Sequence, residues 1–278
     1  MIDPEPKADL SLCCVHTITT KPWSLREAAE NYAAAGIRGI TVWRDVLEGA
    51  PVTESRAIIE SCGLETVALC RGGFFPGIDA ASRQTAIDDN RRAIDEAAEL
   101  GAPMVVLVCG AHPGQPLTGS RQQIRDGIEA VLPHAAGCGV KLAIEPLHPM
   151  YADDRSAINT LSQANAMAEA IDSPYVGVAV DVYHLWWDPD LEAGIRRCGA
   201  HGNLLAFHVC DWKTPTTDLL LDRGLMGEGC IDIPRIRNWV ESAGFDGFIE
   251  VEIFSTIYWE SEQAGFLEKI KHSYLTCV

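Results

Sequence analysis

The sequence predicts an α/β protein of the (β/α)₈ TIM-barrel class, and three observations support this class. Short apolar runs alternate with longer amphipathic segments along the chain. Eight such repeats occupy the 278 residues, and a barrel of this kind typically takes about 250 residues. No linker, low-complexity tract or change in composition interrupts the repeats, so residues 1–278 are predicted to form a single domain.

The apolar runs have the composition of strands that are buried on both faces. They are short, rich in β-branched residues and bounded by Gly, Pro or Asp. The predicted strands are residues 10–16, 39–43, 66–72, 104–110, 141–146, 176–184, 204–210 and 247–254. Because helical segments separate them, we expect parallel pairing. A doubly wound open sheet is the alternative, although no Gly-x-Gly-x-x-Gly follows the first strand, which disfavours its dinucleotide-binding version.

The amphipathic segments between the strands predict helices. Ser24 and Glu27 have the spacing of a capping box before the first helix. Asp232 and Pro234 predict the start of a later one. Apolar stripes predict three further helices, over residues 82–100, 156–171 and 265–276. Two segments without such patterns predict loops of a length that is often functional, residues 110–120 and 211–231.

The charge and cysteine content exclude several classes of protein. With 22 basic and 39 acidic residues, the net charge is −17, which argues against nucleic-acid and anionic membrane partners, because both require a basic surface. No segment resembles a membrane span or a signal peptide. The ten cysteines include no Cys-x-x-Cys pair, and Cys70, Cys109 and Cys210 lie in apolar runs. We therefore expect a cytoplasmic protein with reduced, buried thiols.

Polar residues end four consecutive predicted strands, and a TIM barrel brings these ends together at its active-site rim. They are Glu145 on the fifth strand, Asp181 and His184 on the sixth, His208 and Asp211 on the seventh, and Glu250 and Glu252 on the eighth. Acids inside apolar strands need partners, and a divalent cation would neutralise them together. Separate salt bridges are the alternative. Such a carboxylate and imidazole set suits Mn²⁺, with Co²⁺, Mg²⁺, Fe²⁺ and Zn²⁺ as alternatives.

Five segments in the second half of the chain carry a resemblance to a known superfamily. They are AIEPLHP (143–149), VGVAVDVYH (176–184), AFHVCDW (206–212), DRGLMGEG (222–229) and GFDGFIEVEIF (244–254). Over residues 141–254 the chain resembles the xylose isomerase-like TIM barrels, also called sugar phosphate isomerases/epimerases. This superfamily includes sugar epimerases, inosose and hydroxypyruvate isomerases and endonuclease IV. The segments are most similar to inosose isomerase-type proteins and keto-sugar epimerases, whereas the first four strands match only in general pattern.

The resemblance implies roles for the polar residues at the strand ends. The implied ligands of one divalent metal ion are Glu145, Asp181, His208 and Glu252. The Asp-x-x-His pair would place His184 beside the substrate, and Arg223 would hold a substrate oxygen, a surface salt bridge being its alternative. Glu250 shares a strand face with Glu252, so either could be the ligand. Glu252 is nearer the strand end and fits the motif better, which leaves Glu250 as a candidate for a deeper acid.

Residues at or beyond the other strand ends would complete a pocket for a small sugar or inositol. They are His16, Trp43, Arg71, His112, His148 and Asp211. The flat faces of Trp43 and of Trp186–Trp187 suit sugar rings, with packing as the alternative for each. Arg71 and His112 would bind a further hydroxyl or a carboxylate of the substrate. A phosphate is disfavoured, because no clear Gly-rich nest follows the last two strands.

These residues predict a metal-dependent isomerase or epimerase of a small keto-sugar or keto-inositol. The metal would polarise the ketone, and one of Glu145 and Glu252 would remove the neighbouring proton to give a metal-bound enediolate. The other glutamate would return a proton, while His184 and Arg223 would stabilise charge on substrate oxygens.

Three alternatives remain beside this prediction. A lyase on the same scaffold would act as an inosose-type dehydratase or by β-elimination of a 3-keto-glycoside, and an acid such as His148 or His112 would favour it. A DNA-repair endonuclease would need more rim histidines and a basic surface. A non-catalytic sugar-binding barrel would have lost one of the four implied ligands. The acidic balance favours a small neutral sugar over DNA, and a homo-oligomer is compatible with the resemblance.

Overall fold

The computed structural model describes residues 9–278, and these residues form a closed barrel of eight parallel strands. The barrel strands are β1 (Cys13–His16), β2 (Gly39–Trp43), β3 (Glu65–Gly73), β4 (Met104–Val108), β5 (Lys141–Glu145), β6 (Val176–Asp181), β7 (Leu204–Val209) and β8 (Ile249–Val251). Each strand pairs with the next one along the chain, and β8 pairs with β1 to close the barrel. The predicted TIM barrel is confirmed, and the alternative of an open doubly wound sheet is wrong.

Helices alternate with the strands and pack against their outer faces. They are α1 (Leu25–Ala34), α2 (Val52–Ser61), α3 (Ala80–Leu100), α4 (Leu117–Cys138), α5 (Leu161–Ile171), α6 (Val182–Leu185), α7 (Leu191–Ala200), α8 (Ile233–Ser242), α9 (Thr256–Trp259) and α10 (Gln263–Cys277). Because α6 and α9 have only four residues each, eight longer helices remain within residues 9–278, as predicted. Short 3₁₀ turns occupy Arg44–Leu47 and Pro149–Tyr151.

Several local signals in the sequence have the predicted effect on the helices. Ser24 and Glu27 form a reciprocal capping box at the start of α1, and the Asp232 side chain accepts a hydrogen bond from a backbone N–H in the first turn of α8. In α10, the apolar stripe that the sequence predicts is buried. These caps satisfy backbone donors that the first helical turn leaves without partners.

Two predicted elements have different bounds in the structure, and side-chain hydrogen bonds explain both differences. The helix predicted over 156–171 begins only at Leu161, because Asn159 donates to the carbonyls of Leu147 and Ser156 and so holds this stretch in a turn. The strand predicted over 176–184 ends at Asp181, whose carboxylate accepts from a backbone N–H and caps the short helix α6. His184 therefore lies on a helix and not on a strand.

The inside of the barrel holds small side chains at its middle and polar ones at one end. Side chains alternate between the two faces of a strand, and the small inward residues of β3 to β7 form a buried cluster. These residues are Ala68, Cys70, Val106, Ala143, Ala179 and Ala206. Two positions further along β5, β6 and β7 are Glu145, Asp181 and His208. The same alternation therefore turns these polar side chains inward at the C-terminal end.

The structure also bears on two expectations from composition. All ten cysteines are free, and Cys70, Cys109 and Cys210 are buried as predicted. Within residues 9–278, none of the helices has the length and apolar character needed to cross a membrane.

Candidate metal centre and substrate cavity

The four predicted metal ligands lie together at the C-terminal end of the barrel. They are Glu145 on β5, Asp181 on β6, His208 on β7 and Glu252 directly after β8. Each offers one ligand atom, and these atoms all lie within 4.8 Å of one another. All four side chains are buried, with at most 4% of any residue exposed. Strand register contributes to this arrangement, because Asp181 is directly opposite His208 in the pairing of β6 with β7.

The bonding within this group fits a divalent cation. Oε1 of Glu145 lies 3.1 Å from Nδ1 of His208. Nevertheless, neither of these atoms, nor Nε2 of His208, has a well-oriented hydrogen bond to any of residues 9–278. Buried polar atoms without partners are costly unless a ligand satisfies them. Three carboxylates and one imidazole form a mixed O/N donor set, so these residues fit a divalent metal ion.

Arg223 lies against two of the four predicted ligands. Its Nη1 donates to Oε2 of Glu252 at 2.8 Å and to Oδ2 of Asp181 at 3.2 Å. Its guanidinium lies over the rings of Tyr183 and Phe254, at 4.3 and 4.9 Å from their centroids. With 2% of the residue exposed, this is a buried arginine and not the surface salt bridge considered as its alternative.

The pKa values of the two acids next to Arg223 move in opposite directions. Burial raises the pKa of Asp181 to about 7, although Arg223 opposes the shift. Burial would also raise the pKa of Glu252, but Arg223 and His16 together hold it well below its usual range. Glu252 is therefore the acid that this environment most strongly keeps ionised.

Glu250 lies outside the group of four, deeper in the barrel. Its Oε2 accepts a hydrogen bond from the Thr41 hydroxyl at 2.5 Å and lies 3.1 Å from Nε2 of His16. The other ring nitrogen of His16 is 3.1 Å from Oε1 of Glu252. His16 thus connects the two glutamates. Burial lowers the pKa of His16, but the charges of Glu252 and Glu250 raise it to about 9.

His184 presents an unpaired donor beside Arg223. Burial and the charge of Arg223 lower the pKa of His184 well below its usual value, so the ring is neutral. Its Nε2 lies 3.3 Å from Nη2 of Arg223 and therefore accepts, which leaves the proton on Nδ1. Within residues 9–278, neither Nδ1 of His184 nor Nε of Arg223 has a hydrogen-bond partner.

A cavity of about 180 Å³ opens above the predicted metal ligands. Six residues that the sequence singled out line it: Trp43, Arg71, Glu145, His184, Arg223 and Glu252. Sequence reasoning missed the other six lining residues, which are Val108, Leu147, Tyr151, Arg155, Leu220 and Phe254. Phe254 lies two positions after Glu252, so the alternation along the last apolar run could have identified it. Tyr151 and Arg155 come from the segment after β5, where no periodic pattern points to them.

Asp211 was predicted to bind substrate, but its carboxylate has another set of partners. It accepts hydrogen bonds from four backbone N–H groups, at distances between 2.8 and 3.0 Å. These belong to Trp212, Gly227, Gly229 and Ile231. A side chain at Gly229 would collide with the Trp212 backbone and with Asp211 itself. Asp211 does not line the cavity, and it shapes the segment 211–231, which includes a short hairpin.

The remaining predicted pocket residues also lie off the cavity lining. His16 lies beneath it, as described above. Nδ1 of His112 accepts from the N–H of Gly114, and the His148 ring stacks on Trp212 with the centroids 5.2 Å apart. Trp186 and Trp187 contact Trp212 and His148 respectively. The tryptophan pair therefore packs in an aromatic group, which was the alternative explanation for it.

Comparison with known proteins identifies relatives along almost the whole chain. A sequence model described as xylose isomerase-like TIM barrel matches residues 29–273. Protein SMc04130 from Sinorhizobium meliloti 1021 is 46% identical, with a TM-score of 0.94 over 97% of this chain and 99% of that one.

Two more distant relatives have similar lengths. A structure of the IOLI protein with a bound zinc atom has a TM-score of 0.84 at 19% identity, over 96% of this chain and 97% of that one, which is a likeness of fold. The inosose isomerase of Halalkalibacterium halodurans is 22% identical over 231 residues, which are 81% of this chain and 79% of that protein.

Proposed function

We propose that this chain, which belongs to the xylose isomerase-like TIM barrel family, is a divalent-metal-dependent isomerase or epimerase of a small keto-sugar or keto-inositol. The observation that carries the proposal is the position of four potential ligand atoms, all within 4.8 Å, below a small cavity. The similarity to an inosose isomerase supports a keto-inositol or a related sugar as the class of substrate.

Glu145, Asp181, His208 and Glu252 would hold the ion. When bound, the ion supplies Lewis-acid polarisation of the substrate ketone, which makes the proton on the adjacent carbon more acidic. We propose Mn²⁺ first, because oxygen-rich donor sets suit hard cations, with Co²⁺, Mg²⁺, Fe²⁺ and Zn²⁺ as alternatives. The zinc atom bound to IOLI supports a divalent cation in a barrel of this fold.

Glu145 and Glu252 are proposed to transfer the proton. Both line the cavity. Glu145 ends β5 and Glu252 directly follows β8, and β6 and β7 lie between these two strands. One carboxylate would remove the proton next to the ketone and leave an enediolate. The other would return a proton to the opposite face of the same carbon in an epimerase, or to the neighbouring carbon in an isomerase. Arg223 and His16 favour the ionised form of Glu252, which is the form that can accept a proton.

His184 and Arg223 are proposed to bind the substrate oxygens. Both line the cavity, and each has a buried N–H donor without a partner in residues 9–278. Donors that are already fixed in place stabilise the negative charge that develops on oxygen when a proton leaves carbon. A neutral His184 donates without adding a full charge, while Arg223 adds a permanent positive charge.

The positions of the other histidines favour isomerisation over elimination. A dehydratase or a β-eliminating lyase needs an acid that protonates the leaving oxygen, and His148 and His112 were the candidates. Neither histidine lines the cavity. Tyr151 does line the cavity, but its hydroxyl donates to the carbonyl of Leu219 and burial raises its pKa.

Proton NMR in heavy water tests the proposed function. Protein supplied with Mn²⁺ is incubated with a panel of keto-sugars and inososes, both neutral and anionic. We expect deuterium at the carbon next to the ketone together with signals of an epimer or an isomer. A product that has lost a hydroxyl would identify a lyase. If no compound exchanges, the proposed proton transfer is contradicted.

A further inference from the structure

Arg71 and Arg155 line the cavity from two separate elements. Arg71 lies near the C-terminal end of β3, and Arg155 follows the turn Pro149–Tyr151. Both are partly buried. The two side chains thus bring two positive charges to the same small space, in a chain whose net charge is −17.

Neither arginine is neutralised by the part of the chain that the structure describes. Arg44 and Arg223, by contrast, form ion pairs with two acids each, Arg44 with Asp89 and Glu96 at 3.0 and 2.6 Å. Arg71 and Arg155 form no ion pair and no side-chain hydrogen bond with residues 9–278. Such pairing is the usual arrangement for arginines that are taken out of water, so its absence at both positions needs an explanation.

Aromatic rings hold the two guanidinium groups while their N–H groups have no acceptor in residues 9–278. The Arg71 guanidinium lies 4.3 Å from the centroid of Phe74, and that of Arg155 lies 5.5 Å from the centroid of Tyr151. Stacking of this kind leaves the in-plane donors available. Burial and the nearby charge of Arg155 both lower the pKa of Arg71, so the two cations act on each other unfavourably.

A bound anion would remove this unfavourable interaction. The planar fork of donors on arginine matches a carboxylate or a phosphate, and such charge-assisted bonds are stronger than neutral ones. A neutral sugar would leave two half-buried positive charges without a counter-ion. The cavity would therefore recognise two ends of a substrate, a keto-hydroxyl end at the metal ligands and a negative end at the arginines.

We infer that Arg71 and Arg155 form a subsite for an anionic group, a carboxylate or a phosphate, on the keto-sugar or keto-inositol substrate. The inference rests on the proposed function for the identity of the substrate, but the subsite itself rests on the arginines alone. It revises the expectation of a neutral sugar that the acidic composition favours, because that composition describes the whole chain and not the cavity. It also assigns a role to Arg155, which the sequence did not single out.

Calorimetric titration with matched polyols tests the subsite without any reaction. D-glucitol is the neutral probe, D-gluconate carries a carboxylate, and D-glucitol 6-phosphate carries a phosphate. We expect at least one anion to bind more tightly than glucitol, by about tenfold or more, because each charge-assisted bond to a guanidinium contributes on that scale. The stronger of the two anions identifies the source of the negative charge. The preference should fall as salt is added.

Arginine variants locate the binding. We expect Arg71→Gln and Arg155→Gln each to weaken anion binding by about tenfold and to leave glucitol binding unchanged. Arg38→Gln is the matched control, because it removes the same charge from an exposed position just before β2, at the other end of the barrel. Arg155 lies outside the barrel strands, so its variant tests the subsite even if Arg71→Gln fails to fold.

The outcomes separate the subsite from the reaction. The inference is overturned if neither anion binds at millimolar concentration, if the anions bind no more tightly than glucitol, or if both variants keep the preference. Deuterium exchange into anionic keto-sugars that both variants leave unchanged would overturn the subsite and leave the proposed function standing. Anion binding that depends on both arginines, with no exchange in any compound, would contradict the proposed function alone.

Discussion

Nη1 of Arg223 donates to Oε2 of Glu252 at 2.8 Å, in the buried floor of the cavity. This contact joins a residue expected to bind substrate to a residue expected to hold the metal and move a proton. Arg223 also contacts Asp181 at 3.2 Å, so a single guanidinium offsets part of the charge of two acids. A divalent cation would act on the same acids, and the two positive charges are therefore coupled through them.

This coupling predicts that the stability effect of Arg223 depends on metal. Breaking a buried ion pair from one side typically costs about 3–5 kcal/mol. We expect Arg223→Met to lose a free energy of unfolding of this size in the presence of a chelator, and clearly less with saturating Mn²⁺. Urea unfolding of both proteins under both conditions measures the difference. Equal losses with and without Mn²⁺ would show that the arginine and the ion do not share the carboxylates.

The purified protein is predicted to bind about one divalent ion per chain. At a Mn²⁺ concentration one hundred times Kd, binding should add about 2.7 kcal/mol to the free energy of unfolding. Metal analysis after dialysis against Mn²⁺ and thermal unfolding measure the two effects. His208→Gln should lose both.

A second group of potential ligands provides the matched control for metal binding. Asp95, His134 and Cys138 also bring ligand atoms together, but on the partly exposed surface of α3 and α4. His134→Gln should leave the metal content and the stabilisation unchanged. If His134→Gln loses the ion and His208→Gln keeps it, the metal binds at this second group and our proposal is contradicted.

Glu252→Gln is predicted to lower the rate of solvent deuterium exchange into the substrate by about 10²- to 10⁴-fold, the range typical of a lost general acid or base. The amide oxygen keeps one neutral ligand atom, so metal content is measured on the same sample to separate loss of the proton carrier from loss of the ion. Glu260→Gln is the control, at an exposed position directly after α9. Unchanged exchange in Glu252→Gln with metal still bound would reject the proton-transfer role.

Much of the barrel follows from local pattern. The strand predicted over 39–43 has the same bounds in the structure. A short apolar run between turn residues is typical of a buried strand. The grouping of the four proposed metal ligands was predictable for a related reason. They lie at or directly after the ends of consecutive parallel strands. Barrel geometry places those ends at one rim independently of the loop conformations.

The cavity above the proposed ligands was less predictable, because tertiary contacts of loops form it. Tyr151 is positioned by a hydrogen bond from its hydroxyl to the carbonyl of Leu219, and Arg155 by a bond from the N–H of Gly110 to its own carbonyl. Neither partner is near in sequence. Asp211 was assigned to the substrate because it follows a strand, but β7 ends at Val209 and alternation no longer applies beyond it.

We therefore predict that substitution of Asp211 lowers stability and does not act directly on catalysis. Asp211→Asn keeps the size of the side chain but replaces one acceptor oxygen with a donor, which would face N–H groups that need an acceptor. We expect a loss of about 1–3 kcal/mol in the free energy of unfolding and faster proteolysis within residues 212–231. Asp246→Asn, at an exposed loop position before β8, is the control. If Asp211 instead touches the substrate, the variant would raise KM while stability and the proteolytic pattern stay unchanged.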